Sequence, residues 1–89
     1  MEIKDFRREI DAADDRIIEL INRRAEIGLK VGELKRLQGR PIRSPDREAE
    51  VLERMATLAG GPLSADAIRR IFSQIIEETR TLEESNSDL

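Results

Sequence analysis

Apolar residues recur along the first third of the chain at alternating spacings of three and four: Ile3, Phe6, Ile10, Ala13, Ile17 and Leu20, then Ile27, Val31 and Leu34. That spacing lines one stripe of an α-helix and predicts a first helix from about Ile3 to Leu37. At 1.5 Å per residue it would be roughly 50 Å long. Arg24 interrupts the stripe in the middle. Gly28 and Gly32 each cost about 1 kcal/mol of helix propensity against alanine. Spaced four apart, they share a face on which another backbone can approach. QGRPIRSPD then ends the helix, with Gly39 suited to a left-handed cap and Pro41 forbidding continuation. Ser44 as N-cap and Pro45 at the first helical position start a short second helix to about Leu58, carrying Val51, Leu52 and Met55. After the break AGGPLS, Ser64 caps a third helix of medium length, and Leu63 and Ile68 are placed as a hydrophobic staple. Ile68, Ile71, Phe72, Ile75, Ile76 and Leu82 make its broad apolar stripe. The terminal ESNSDL is expected to fray. No run alternates with period two, so the fold class is all-α, with long, short and medium helices in one domain over residues 1–89.

Composition turns attention to a second chain. A domain of 89 residues buries only about 60% of the surface its unfolded chain exposes. Disulfides, a metal or a partner can make up the deficit. There is no Cys and no His, which removes disulfides, thiolate sites and the commonest metal ligand and general base. No cofactor is expected. A helix as long as the first is poorly covered in a compact monomer, whereas two chains pairing long helices antiparallel would cover it, as C2 symmetry allows. The net charge of −3 gives no pull toward nucleic acid or an anionic membrane. Charges interrupt every apolar run before it reaches the length of a membrane span. A cytoplasmic protein is expected.

The candidate chemistry lies in polar residues that invade these stripes. Arg24 alone could snorkel to the edge of the seam or fix helix register. Lys35, however, lies three turns further on nearly the same face. Glu48, with Arg47 beside it, extends the stripe of the second helix, and Thr79 and Glu83 extend that of the third. Several such groups at one end of three helices predict a small pocket. Arg7 flanks the seam 17 residues before Arg24, roughly 25 Å away along the helix. Within one chain the two cannot share a small ligand, but across an antiparallel dimer they can. Phosphate loops, zinc-protease motifs and nucleophile elbows are missing from the sequence. Arg, Lys, Glu and Thr suit the binding of a compact polyanion and poorly suit proton shuttling.

The segments FRREIDAAD, LINRRAEIGLKVGELK, GRPIRSPDRE and IFSQIIEETRTLEE, in that order and over about Phe6 to Glu83, resemble the small all-helical class of chorismate mutase. The resemblance implies an intertwined homodimer of three-helix chains with two equivalent sites, each completed in trans by an arginine of the partner's long helix. It implies that Arg7, in trans, and Arg24 hold the two carboxylates of chorismate. Lys35 would bond the ether oxygen and a carboxylate, Arg47 would support carboxylate binding, and Glu48 would accept the substrate hydroxyl. Thr79 and Glu83 would line the other wall, with Glu83 facing the ether oxygen. Ser44 stands where aspartate is frequent in bacterial members, and Glu83 where glutamine is common. Rearrangement of chorismate to prephenate is intramolecular and pericyclic. It needs a folded substrate and positive charge near the ether oxygen, and no nucleophile, metal or acid–base pair. Charged Glu83 would repel the developing negative charge and protonated Glu83 would donate to it, so activity is expected to rise toward acidic pH.

Two other functions fit parts of this pattern. A related helical family removes pyruvate from isochorismate with similar pocket residues. A non-catalytic helical dimerisation module would explain the heptads, though not Arg24, Lys35, Glu48 and Glu83 together. The mutase module also occurs fused to other enzymes of the shikimate pathway, and the stretches IRRIF and LEE resemble the prephenate dehydratase fusions. A chain of 89 residues is read as a free-standing enzyme or an excised module.

Overall fold

A computed structural model describes residues 1–86. It contains three helices, α1 (Ile3–Leu37), α2 (Pro45–Leu58) and α3 (Ala65–Asn86), and no strand among the described residues. The stop and start signals work as backbone chemistry requires. At the end of α1 the Arg40 N–H bonds the Lys35 carbonyl at 2.8 Å and the Gly39 N–H bonds the Arg36 carbonyl at 3.1 Å, a Schellman closure. It turns on Gly39 at φ +68°, where a side chain would be strained. Ser44 is the N-cap of α2 through its backbone alone: its carbonyl accepts the Glu48 N–H at 3.0 Å, and its hydroxyl caps nothing. The hydroxyl of Ser64 does cap α3, accepting the Ala67 N–H at 3.0 Å. Leu63 stays exposed beside it. Glu84, Ser85 and Asn86 are helical rather than frayed, helped by an Arg80–Glu84 pair one turn apart at 3.8 Å. Ser87, Asp88 and Leu89, the rest of the expected frayed end, lie outside the described residues.

α3 is the central element. It packs against both α2 and α1, while α1 and α2 do not pack on each other among the described residues. The Arg69 guanidinium clamps α3 to α2, donating to both carboxylate oxygens of Glu53 at 3.1 and 3.2 Å and to Asp66 at 2.7 Å. The core is thin, with Val51 and Ile76 its buried hydrophobic residues.

The stripe by which α1 meets α3 is not its greasy seam. Ile21 and Ala25 share a hollow with Ile75, Thr79 and Leu82 of α3, and Gly28 and Gly32 lie against Thr79 and Glu83. Those α1 positions fall one residue past the seam, a rotation of about 100° around the helix. The seam itself is uncovered: Ile10, Ile17, Leu20, Ile27 and Leu34 are each more than half exposed. Residues 6–20 are exposed without exception, because the first half of α1 projects beyond the other helices. The radius of gyration is 16.1 Å, against about 12 Å for a compact domain of this length.

Candidate active site

The second half of α1, the connection 38–44, the start of α2 and the second half of α3 enclose a cleft of about 280 Å³. Seven of the eight residues singled out in the sequence line it: Arg24 and Lys35 from α1, Ser44, Arg47 and Glu48 around the start of α2, and Thr79 and Glu83 from α3. Arg7 does not, being exposed on the projecting half of α1. Ile27 and Val31 belong both to the cleft wall and to the uncovered seam, so the cleft opens toward the face of α1 that this chain leaves bare.

Two glycines set the depth of the cleft. A Cβ on Gly28 would fall 2.6 Å from Thr79 Cγ2 and 2.9 Å from Glu83 Oε1, and one on Gly32 would fall 3.2 Å from Glu83 Cγ. Only bare backbone on α1 lets α3 come this near, and the approach lays Thr79 and Glu83 directly over α1.

The cationic side chains fall into two groups. Arg43 and Arg80 pair with Glu48 at 3.5 and 3.2 Å, and Arg47 pairs with Glu50 at the exposed rim. Arg24 and Lys35 are met instead by neutral acceptors: the Arg24 guanidinium donates to the Thr79 hydroxyl at 3.4 Å and the Lys35 ammonium to the Ile42 carbonyl at 3.0 Å. The Thr79 hydroxyl is held by donating to the Ile75 carbonyl at 2.8 Å. Near Arg24 and Lys35 stands Glu83. Burial pushes its carboxyl above the ordinary value of 4.5, against the pull of Lys35 and then Arg24, with Glu84 adding to the rise. With Glu83 protonated, two half-buried positive charges face a small cleft with no formal negative charge set directly against them. A cleft so charged is electrostatically suited to a compact anion.

The sequence pattern of the family described as chorismate mutase type II matches residues 6–84. The chain belongs to that family. It is 36% identical over 86 residues to the bifunctional chorismate mutase/prephenate dehydratase of Aquifex aeolicus, and 40% identical over 75 residues to the protein so described from Escherichia coli K12. These alignments cover 92% and 83% of this chain but 24% and 19% of those relatives, so the chain spans a quarter of their length or less. Its fold is similar to that of chorismate mutase form II from Thermus thermophilus, with a TM-score of 0.90 and 30% identity over 92% of this chain and 93% of that one. It is also similar to Helicobacter pylori chorismate mutase in complex with prephenate, with a TM-score of 0.84 and 30% identity over 93% of this chain and 90% of that one.

Within this chorismate mutase fold, sequence reasoning missed two cleft residues of consequence, Arg43 and Arg80. Arg43 sits in a connection with no periodicity to betray it. Arg80 was legible: it follows Ile76 by four residues and precedes Glu83 by three, so it continues the same stripe of α3 toward the cleft. Among the described residues no group of three or more His, Cys, Asp or Glu side chains could hold a metal ion, and no helix is long and apolar enough to cross a membrane.

Gly28→Ala should force Thr79 and Glu83 off α1, lowering the thermal midpoint by several degrees, since about 1–3 kcal/mol is usual for overpacking. Adding Thr79→Ser removes the Cγ2 that the new methyl would strike and should restore most of the midpoint, as scanning calorimetry would read. The raised Glu83 pKa gives a second expectation. A carboxyl that holds its proton more tightly when folded contributes stability that is fully present below pH 4.5 and is lost as pH rises through the folded value. Urea midpoints of the wild type relative to Glu83→Gln should therefore fall as pH rises above 4.5, and parallel curves would contradict the assignment.

Proposed function

We propose that this domain binds chorismate and rearranges it to prephenate, working as a homodimer with two shared clefts. The observation that carries the reading is the pair Arg24 and Lys35, half-buried cations held by neutral groups in a cleft of about 280 Å³. Chorismate brings two carboxylates, so its charge is met there. In the reaction the ether C–O bond breaks as a C–C bond forms within one molecule. The enolpyruvyl chain must first be folded over the ring, and the ether oxygen gains negative charge on the way. Arg24 grips a carboxylate and fixes the folded conformer. Lys35, oriented by the Ile42 carbonyl, has ammonium protons left to aim at the ether oxygen and a carboxylate. Glu83, when protonated, donates to the same oxygen. Glu48 accepts from the ring hydroxyl with Ser44 beside it, while Arg47 at the rim and Thr79 on the wall complete the enclosure. An acceleration of about a millionfold asks roughly 8 kcal/mol of orientation and charge stabilisation together.

The bare seam of α1 supports the dimer. Pairing two long helices antiparallel would bury Ile10, Ile17, Leu20 and Ile27, and a two-fold axis near Asp15 would set the Arg7 of one chain against the Arg24 of the other. The cleft wall shares Ile27 and Val31 with that seam, so the second chain would close the site and supply the missing cation.

Loss of chorismate absorbance on adding purified protein tests the reading, with isochorismate as the comparison substrate. Arg24→Ala and Arg7→Ala should each form intact dimers with kcat/KM reduced about 10²–10³-fold, the usual cost of one charge-stabilising donor. Mixed and allowed to exchange subunits, the two inactive variants should recover about a quarter of wild-type activity, because half the dimers then hold one intact cleft. No recovery on mixing would refute completion in trans. Wild-type activity should also rise toward acidic pH as Glu83 takes its proton, and Glu83→Gln should flatten the profile between pH 5 and 8; a flat wild-type profile excludes the donor role.

A further inference from the structure

Glu48 creates a difficulty for a site that takes a dianion. As a carboxylate it is the natural acceptor for a hydroxyl, but it also repels the guest's own carboxylates across a cleft of about 280 Å³. The structure meets this with two guanidinium groups brought from different elements. Arg80 on α3 donates through NH1 to Glu48 Oε1 at 3.2 Å. Arg43, from the connection before α2, sets its Nε 3.5 Å from Glu48 Oε2. Each carboxylate oxygen therefore has its own cation. The Arg80–Glu48 pair is the more sheltered, with both side chains about a quarter exposed, whereas the Arg43 side chain is 62% exposed. Arg80 also reaches Glu84 at 3.8 Å on its other side. A guanidinium bracketed by two carboxylates has its charge compensated locally, unlike Arg24 and Lys35, and is a poor anchor for a third carboxylate.

We infer that Arg80 is a positioning residue: it neutralises and aims the carboxylate of Glu48, so that Glu48 can accept the substrate hydroxyl without repelling the rest of the substrate. This role rests on the reading of the cleft given above. It predicts a defect in binding rather than in the chemical step, because the hydroxyl takes no part in the bonds that change. It also predicts that Arg80 matters only while Glu48 is a carboxylate.

The test is a double-mutant cycle on chorismate turnover with Arg80→Met, Glu48→Gln and the pair, each first checked for folding by circular dichroism. Arg80→Met should raise KM roughly tenfold with kcat changed little, the size expected for one charge-assisted hydrogen bond. In the Glu48→Gln background the same change should raise KM less than about twofold. If the methionine variant folds poorly, Arg80→Lys, which keeps the charge and loses the fork, should give a smaller rise that also disappears beside Glu48→Gln. An equal rise in both backgrounds would make Arg80 a direct substrate ligand and overturn the inference, as would an unchanged KM in folded Arg80→Met. Wild-type protein without chorismate turnover overturns the reading of the cleft itself, whereas turnover with additive variants overturns the role of Arg80 alone.

Discussion

Where α3 meets α1 at Gly28 and Gly32, no side chain separates the helices, and the polar groups of the cleft are placed by that contact. Glu83 lies so near the α1 backbone that a Cβ at either glycine would press on it. Its nearness brings the carboxyl under the influence of Lys35 and Arg24 while denying it enough water to ionise at its usual pH. Thr79, in the same contact, holds the Arg24 guanidinium with its hydroxyl. The helix propensity that two glycines forfeit is thus exchanged for a depth of approach that any larger residue would prevent.

The cleft is organised by how its charges are partnered. Arg43, Arg47 and Arg80 each pair with a carboxylate, Arg43 and Arg80 sharing Glu48 and Arg47 meeting Glu50 at the exposed rim. Arg24 and Lys35 donate to neutral dipoles rather than to carboxylates, and their charge is uncancelled where a guest would sit when Glu83 carries its proton. Half-buried cations without counter-ions lower the stability of an empty protein, and binding of an anion returns it. A core of little more than Val51 and Ile76 leaves small reserve for that cost. The bare seam of α1 offers the remedy, since the surface that would bring stability through a second chain also borders the mouth of the cleft.

The helices, their order and their limits were legible in the sequence because they rest on local chemistry. Gly39 turns the chain after α1, Pro45 opens α2 and the Ser64 hydroxyl caps α3, each acting within a few residues. Arg24, Lys35, Glu48, Thr79 and Glu83 could be picked out because polar groups on apolar helical stripes stand out against the period; Arg47 came as the neighbour of Glu48, and Ser44 only through the family resemblance. Arg43 could not, since a connection has no period. The clamp on Glu48 could not either, because its members lie 5 and 32 residues from that carboxylate along the chain.

By itself, then, the sequence determined three helices, a long seam broken by Arg24, and a set of charges at one end of each stripe. Which stripe of α1 would meet α3 was a tertiary decision. The seam through Leu20, Ile27 and Val31 is the more apolar, yet α3 took the adjoining line through Ala25, Gly28 and Gly32. There the backbone is bare enough for close packing, and the greasier line was left outward. Hydrophobicity marks every face that can be buried, but only the fit between two surfaces selects the one that is.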